Sequence, residues 1–508
     1  MMRAGISTLA LFCVCAGALC SAEMPTTLTV RFDTSTIEGN NGWFGVGEAS
    51  FKLPSSDGAW IAWVRYLDNG ARLLEITING RTTQMPLNMN RRYVKIGEVD
   101  SRDLSITIRG VGKYAVQADS MIFTSSETLD PNSLSPEQLD DLPRITPPLG
   151  YAKQLMADHP DWSLEQWIDA VRKHYGLPES ADVEMIDKHG NILLDGKPFF
   201  GLLMFHSSSS DKRLFDVKEI NAYLGGANDT FAERGIVAIP SYDSAWRAYD
   251  LIAEGLNRNR HPRTLMHYIC DEPENTLVSV DELKRLNALV KAADPTKPTL
   301  INVSPTFAAN SAVLTIPDVV GLDIYPIPNG RIYDVGRLID QVKFSSGGKP
   351  VVSIVQTFSW AAYGRTGARY PTPAEVRAMT YISLVHDAKG LWFYEWPAPT
   401  MSSETSIADI QPELWADMRN MFREVTHITP ALFGPPVELP AAVSSDAPKG
   451  REPEFKMAVS ADRKTAYLVA VHPWDSPCKA IVDFGKGPIA DAAISSAAVS
   501  MACVSTEQ

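Results

Sequence analysis

Cysteine is scarce in this chain. Of its 508 residues six are cysteines, and Cys13, Cys15 and Cys20 fall in the N-terminal stretch, which leaves Cys270, Cys478 and Cys503 for the remainder. Three scattered thiols exclude a disulfide scaffold, although an exported chain permits one bond, Cys478 with Cys503, if the two Cα atoms come within about 7 Å. There is neither a CxxC nor an HExxH spacing among the few cysteines and nine histidines, so structural zinc and zincin chemistry lack their ligands and no metal is expected. No interior apolar run reaches the ~18 residues of a membrane span. Positive charge is the minority, with 47 Lys and Arg against 60 Asp and Glu, and a net charge of −13 disfavours nucleic acid and anionic membranes as partners.

What is present is ordinary for a globular protein, with 45% hydrophobic and 21% charged residues. The length exceeds what one hydrophobic core supports, so two or three domains are expected. Met1-Met2-Arg3, an apolar stretch over 6–19 and the small pair Ser21-Ala22 read as a signal peptide, residues 1–22, too short to cross a bilayer. The expected location is periplasmic or secreted.

Residues 24–126 show short strands at roughly ten-residue spacing, ended by turns such as Asn79-Gly80, the pattern of a β-sandwich. The run Ala118-Asp119-Ser120-Met121-Ile122-Phe123-Thr124 resembles the last strand of jelly-roll carbohydrate-binding modules, and Trp63-Val64-Arg65 resembles an inner strand. Trp43, Trp60 and Trp63 offer faces for sugar stacking or side chains for a core. Residues 127–182 read as a linker with one helix, opened by a capping box of Ser163 and Gln166.

From 183 to 434 apolar strands alternate with helices, which predicts a TIM-type (β/α) barrel. Strands are expected at 198–205, 236–240, 265–270, 299–303, 319–325, 351–356 and 390–396. The first two lie about 36 residues apart, too close for two regular βα units, so the second unit must be short or irregular and seven strands stand out. Residues 435–508 return to short strands and predict a small C-terminal β-domain.

A barrel places its chemistry at the C-terminal ends of its strands. Those ends deliver His206, Tyr242, the pair Asp271-Glu272, Asp323 with Tyr325, Gln356 with Trp360, and Glu395 with Trp396. Carboxylates among aromatic rings suit an oxocarbenium-like sugar transition state, which needs an acid for the leaving oxygen, nearby negative charge and flat faces for the ring. Asp271 and Glu272 are the candidate catalytic residues and the other eight are candidate substrate contacts. The bland readings are an acidic start to the fourth helix and rim side chains that only satisfy buried polar groups.

Glu272-Pro273 at the end of the fourth strand resembles the acid/base position of the retaining glycosidase clan, and Gly196-Lys197-Pro198-Phe199-Phe200 resembles the lead into its barrel. The pair Asp271-Glu272 is similar to that of glycoside hydrolase families 20 and 123. That resemblance implies a glycoside hydrolase that needs no cofactor and in which the substrate's own 2-acetamido oxygen attacks. Asp271 would polarise it, Glu272 would serve as acid/base and Tyr325 would donate to the acetamido group. The sequence departs from the retaining clan at Gln356, which stands where the clan carries its nucleophilic glutamate. Two alternatives remain: a hydrolase of neutral sugars using Glu272 with Glu395, and a noncatalytic glycan-binding protein on a degenerate barrel. In each case the partner is an oligo- or polysaccharide.

Overall fold

The structure is a computed structural model that describes residues 27–31, 46–53, 59–67, 73–86, 92–99, 103–111, 117–142, 151–207, 212–226, 229–242, 249–276, 278–363, 365–396, 406–434, 437, 442–460, 465–474, 478–483 and 501–503. The signal segment and Trp43 lie outside the described residues, as does the side chain of Cys503 and with it the expected disulfide.

The N-terminal part holds two four-stranded antiparallel sheets. In the first, Trp60–Leu67 lies between Gln117–Thr124 and Tyr93–Val99. In the second, Leu73–Ile78 lies between Asp103–Val111 and Arg81–Met85. The turn from Leu73–Ile78 into Arg81–Met85 is Asn79-Gly80 with φ of 48° and 81°, the two positive values that a type I′ hairpin turn requires. Strand alternation sends Trp60, Ala62, Val64 and Tyr66 inward, where they meet Ile76, Ile78, Leu104 and Ile106 of the other sheet. Trp60 is 3% exposed and belongs to this core, which rules it out as an open stacking face.

The segment read as a linker is in part a docked layer. Helix α1 (Leu164–Tyr175) begins at the expected capping box of Ser163 and Gln166. It buries Trp167, Ile168 and Val171 in the same apolar cluster as the helices that follow. The Trp167 ring meets Tyr249 edge-on at 5.4 Å, and Asp250 accepts from the Ala152 amide at 2.9 Å.

Eight parallel strands come next: β1 (Gly201–Met204), β2 (Ala222–Leu224), β3 (Val237–Ile239), β4 (His267–Asp271), β5 (Thr299–Val303), β6 (Val319–Ile324), β7 (Val351–Gln356) and β8 (Gly390–Tyr394). Six form one sheet in the order β1-β8-β7-β6-β5-β4, and β2 pairs with β3. The two sheets are joined on both sides. Asn221 inserts its side chain beside β1, accepting from Leu202 N at 2.8 Å and donating to Phe200 O at 2.9 Å. On the other side Tyr268 N donates to Pro240 O at 2.9 Å and Tyr242 N to Tyr268 O at 2.8 Å. One inner apolar cluster draws on every strand, through Leu203, Ala222, Val237, Tyr268, Leu300, Val319, Ile354 and Trp392. The outer faces pack under helices α2 (Tyr249–Asn259), α3 (Val280–Ala293), α4 (Tyr333–Ser345), α5 (Pro373–Val385) and α6 (Pro412–Leu432). The expected irregular second unit is therefore a three-residue strand, β2, preceded by the four-residue helix Lys212–Phe215.

The C-terminal strands are not a core apart. Glu454–Val459, Ala466–His472 and Met501–Cys503 form a three-stranded sheet, and Ala458, Val469 and Val471 join the apolar cluster that holds α5 and α6. A charged latch reinforces this docking. His386, just past α5, bonds Asp340 of α4 through Nδ1 at 2.8 Å and Glu454 of the C-terminal sheet through Nε2 at 2.5 Å. Gly336 makes room for it, since a Cβ there would lie 2.3 Å from the imidazole ring. Burial alone would lower the His386 pKa, but the two carboxylates overcome it and raise it from 6.5 to about 9. Because the folded pKa is the higher one, this contribution is complete below pH ~6.5 and disappears as pH rises through about 9. A shift of that size is worth about 3 kcal/mol. Denaturant unfolding from pH 7 to 10 is expected to show that loss in the wild type and not in His386→Gln; parallel pH profiles of the two proteins would refute the latch.

Candidate active site

The acidic pair owes its direction to an irregularity in β4. The pairing of β4 with β5 slips between Tyr268 and Cys270, so one extra residue is accommodated there. Tyr268 joins the inner cluster, whereas Ile269 and Cys270 both belong to the outer one. Asp271 then returns to the inner side, where the Tyr268 hydroxyl donates to its Oδ1 at 2.6 Å. Without the bulge, strict alternation would put Tyr268 and Asp271 on opposite faces.

Asn302 of β5 holds both acids. Its Nδ2 donates to Asp271 Oδ1 at 2.8 Å, and its backbone carbonyl accepts from Glu272 N at 2.9 Å. Glu272 has φ of 37°, a left-handed conformation unusual for a side-chain-bearing residue and characteristic of functional sites. Asn275 secures the turn from below, its N donating to Glu272 O at 2.8 Å and its Nδ2 to Glu272 Oε2 at 2.6 Å. Glu272 is half-buried, and desolvation together with the charge of Asp271 pushes its carboxyl up to about 7, against the opposing bond from Asn275. An acid in that range is poised to give and take a proton near neutral pH.

Asp323, at the end of β6, completes a trio of carboxyls. It is 7% exposed, and burial, then Asp271, then Glu272 drive its pKa well above the usual carboxylate range. The Asn302 and Tyr325 side chains reach Asp323 and oppose that rise without overcoming it. The Tyr325 ring is framed by Phe358 at 5.0 Å, Tyr394 at 5.5 Å and Trp360 at 6.0 Å. Trp360 itself is half-buried and carries the Arg365 guanidinium 3.7 Å from its ring centre.

A second acidic group stands at the ends of β1 and β8. Glu395 is 3% exposed and its Oε2 lies 2.5 Å from His206 Nδ1, with His206 in a left-handed turn of φ 56°. The Tyr394 ring supports the imidazole at 5.3 Å. Tyr370 is near as well, since burial and then the charge of Glu395 raise its pKa.

Three candidate contacts are placed elsewhere. Gln356 is 0% exposed and spends its amide on backbone: Nε2 donates to Ile327 O and Phe358 O, and Oε1 accepts from Ile327 N, at 2.9, 3.1 and 2.8 Å. It staples the segment after β6 to the end of β7 instead of meeting substrate. Trp396 is 3% exposed and packs edge-on against Trp415 of α6 at 4.9 Å, so it is core and not a sugar platform. Tyr242 packs in the outer layer, with its hydroxyl 3.4 Å from His267 Nδ1, and His267 bonds Asp294 at 3.0 Å. Burial and then Asp294 raise its pKa, which associates Tyr242 with that buried cluster and not with the acidic trio.

Sequence reasoning missed Tyr268, Asn302 and Tyr370. Tyr268 and Asn302 sit inside apolar strands, and the polar Asn302 within Thr299–Val303 was the available signal. Among the described residues no group of three or more His, Cys, Asp and Glu is arranged to hold a metal ion, and no helix is long and apolar enough to cross a membrane.

No family model and no curated protein matches the chain. Among solved structures it is similar to a GH2 β-galacturonidase from Eisenbergiella tayi bound to galacturonate, at 11% identity over 80% of this chain and 99% of that one, with a TM-score of 0.38. An FMN-binding β-glucuronidase from Faecalibacterium prausnitzii L2-6 gives 11% identity over 90% and 98%, with a TM-score of 0.37. A β-galactosidase from Bacillus circulans sp. alkalophilus gives 10% over 48% and 57%, with a TM-score of 0.39. Likenesses this distant carry no argument about chemistry, which has to come from the residues themselves.

Proposed function

We propose that this chain is a glycoside hydrolase whose eight parallel strands close into one (β/α) barrel, with Glu272 as its proton donor. The observation that carries the reading is a half-buried Glu272 whose carboxyl is pushed up to about 7 beside Asp271, at the C-terminal end of β4. Cleaving a glycosidic bond needs an acid that is protonated when substrate binds and a basic group that stabilises positive charge at the sugar carbon. Glu272 supplies the first. Asp271, oriented by Tyr268 and Asn302, supplies the second.

The finer reading is a β-linked 2-acetamido sugar that uses its own acetamido oxygen as nucleophile. Asp271 is adjacent to the acid, accepts hydrogen bonds and is fixed in direction, which suits it to hold the acetamido N–H. Gln356 is locked on backbone and in any case an amide, so β7 offers no carboxylate nucleophile. A second reading, hydrolysis of neutral sugars with Glu395 as partner, is favoured by the buried and oriented Glu395–His206 pair.

A panel of aryl β-glycosides, plain hexosides beside N-acetylhexosaminides, tests the choice with wild type and Asp271→Ala. Cleavage confined to acetamido sugars and lost in the variant supports assistance by the substrate. Turnover of plain hexosides moves the second role to Glu395. Retained sugar binding without any cleavage replaces both readings by a noncatalytic glycan-binding barrel.

A further inference from the structure

We propose that the rim above β6 and β7 is a subsite for an acidic sugar, in which Arg365 grips a carboxylate or sulfate ester on the residue next to the one that is cleaved. The inference rests on the hydrolase reading above and names the class of glycan that such a site would take.

Arg365 lies in the turn between β7 and α5, with its guanidinium carbon 3.7 Å from the ring centre of Trp360. At that distance the guanidinium plane lies flat on the ring, so the contact uses the π-face and leaves the N–H edge for a ligand. The residue is exposed, and among the described residues no carboxylate pairs with it. Arg369, farther along the same turn, shows the contrast, since Glu375 takes both of its terminal nitrogens at 2.7 Å. Nor is Arg365 the counter-ion of the acid trio. The charges that act on Glu272 are Asp271 and Glu274, and those that act on Asp323 are Asp271 and Glu272. Its charge is therefore available to something that arrives from solution.

The same rim carries two more exposed arginines seated on aromatic rings. Arg331 ends the loop after β6 and donates to the Tyr333 hydroxyl at 2.7 Å. Tyr333 stacks on Trp474 at 4.3 Å, and Arg451 lies 5.5 Å from the Trp474 ring centre. Because Tyr333 opens the helix that follows β6, this column stands at the strand-exit end, where the acids are. A chain with a net charge of −13 and three carboxyls in its site repels an acidic glycan unless local cations receive it. A guanidinium fork matches the paired oxygens of a carboxylate or a sulfate, and one already held on a ring loses little freedom when it binds. The Trp360 ring is 6.0 Å from that of Tyr325, which stands between it and Asp323, so the anion sits one sugar away from the acids.

The test is calorimetric binding of short oligosaccharides of hyaluronan, chondroitin sulfate and chitin. All carry 2-acetamido sugars; the first adds carboxylates, the second carboxylates and sulfates, the third neither. The proteins are wild type, Arg365→Ala and Arg337→Ala, with thermal melts to verify folding. Arg337→Ala removes the same charge from the exposed face of α4, where Asp334 pairs it at 3.1 Å. Arg365→Ala should bind the acidic chains about tenfold or more weakly and chitin unchanged, while Arg337→Ala matches wild type. Wild-type affinity for the acidic chains should also fall as salt is raised, and less steeply in Arg365→Ala. Tight binding of both acidic chains assigns the carboxylate, and tight binding of chondroitin sulfate alone assigns the sulfate. Equal wild-type affinity for all three, an equal loss on chitin, or an equal loss in Arg337→Ala overturns the subsite. If acidic chains do not bind while neutral glycosides are cleaved, the subsite fails and the hydrolase reading stands. If acidic chains bind through Arg365 and nothing is cleaved, the hydrolase reading fails and the subsite stands.

Discussion

Glu272→Gln is expected to lower kcat/KM by about 10³-fold on glycosides with a poor leaving group, and by much less on nitrophenyl or dinitrophenyl glycosides. General acid catalysis is worth roughly 10²–10⁴ in rate, and the benefit is greatest where the departing oxygen most needs a proton. Gln keeps the shape of the side chain and its contact with Asn275, so the loss reports chemistry and not collapse of the turn. The wild-type rate should fall as pH rises through about 7, because the donor form of Glu272 is lost there, and the variant should lack that limb. Stability ought to move the other way. A carboxyl raised from 4.5 to about 7 on folding favours the folded state fully below pH ~4.5, and that advantage fades as pH climbs through 7. At pH 8 the amide variant should therefore melt above the wild type, the trade expected where a protein holds a strained and desolvated group for function. Equal losses on good and poor leaving groups, with no change in melting, would assign Glu272 to a structural turn.

Where the physics of one residue type decides, the sequence was a reliable guide. The capping box at Ser163 and Gln166 lies where expected because side-chain and backbone groups satisfy each other within four residues. The parallel strands other than β2 were legible as apolar runs, and the acidic pair was legible because Asp-Glu-Pro ends such a run. Cys270 and Ile269 both face outward, which the slip in β4 permits and strict alternation does not. The errors lie at strand ends, where one residue more or less reverses the face. Trp396, one residue past Glu395, turned into the core against Trp415, and Gln356 turned to the backbone of the neighbouring loop. The β4 bulge was invisible for a related reason, since a run of buried residues carries no period from which to detect a slip. Strand β2 has three residues, shorter than any hydrophobic pattern, and its junction with β1 combines a backbone bond, Asn221 N to Leu202 O at 3.1 Å, with the side chain of Asn221. The Asp323–Asn302–Asp271 arrangement joins three strands, and nothing in the linear spacing of those residues announces it.

Gly321→Ala should cost about 10²-fold in kcat/KM, although Gly321 points at no carboxyl and meets no substrate. It lies on β6 opposite Asn302 of β5, and a Cβ added there would sit 2.7 Å from Asn302 Oδ1 and 3.2 Å from its Cα and Cβ. The side-chain oxygen has room to swing only if Asn302 rotates, and rotation withdraws Nδ2 from Asp271. The backbone contact admits no such escape, so the strands must also part by a few tenths of an ångström, which loosens the Glu272 N to Asn302 O bond that holds the left-handed turn. One methyl group thus disturbs both acids through a residue that belongs to neither. Overpacking of this kind costs about 1–3 kcal/mol in stability, small enough for a protein of this size to stay folded. Displacement of a catalytic group by about 1 Å is enough for the expected loss in rate. The measurement is a pH profile of kcat/KM with a melt alongside. A shifted acid limb together with the loss in rate places the effect in the acid pair, whereas a lower melting temperature with an unaltered profile and rate would confine Gly321 to packing. Asn302→Asp provides the matching control: it keeps the volume but puts a fourth carboxyl against Asp271, and it should raise the pH at which the Glu272 limb appears.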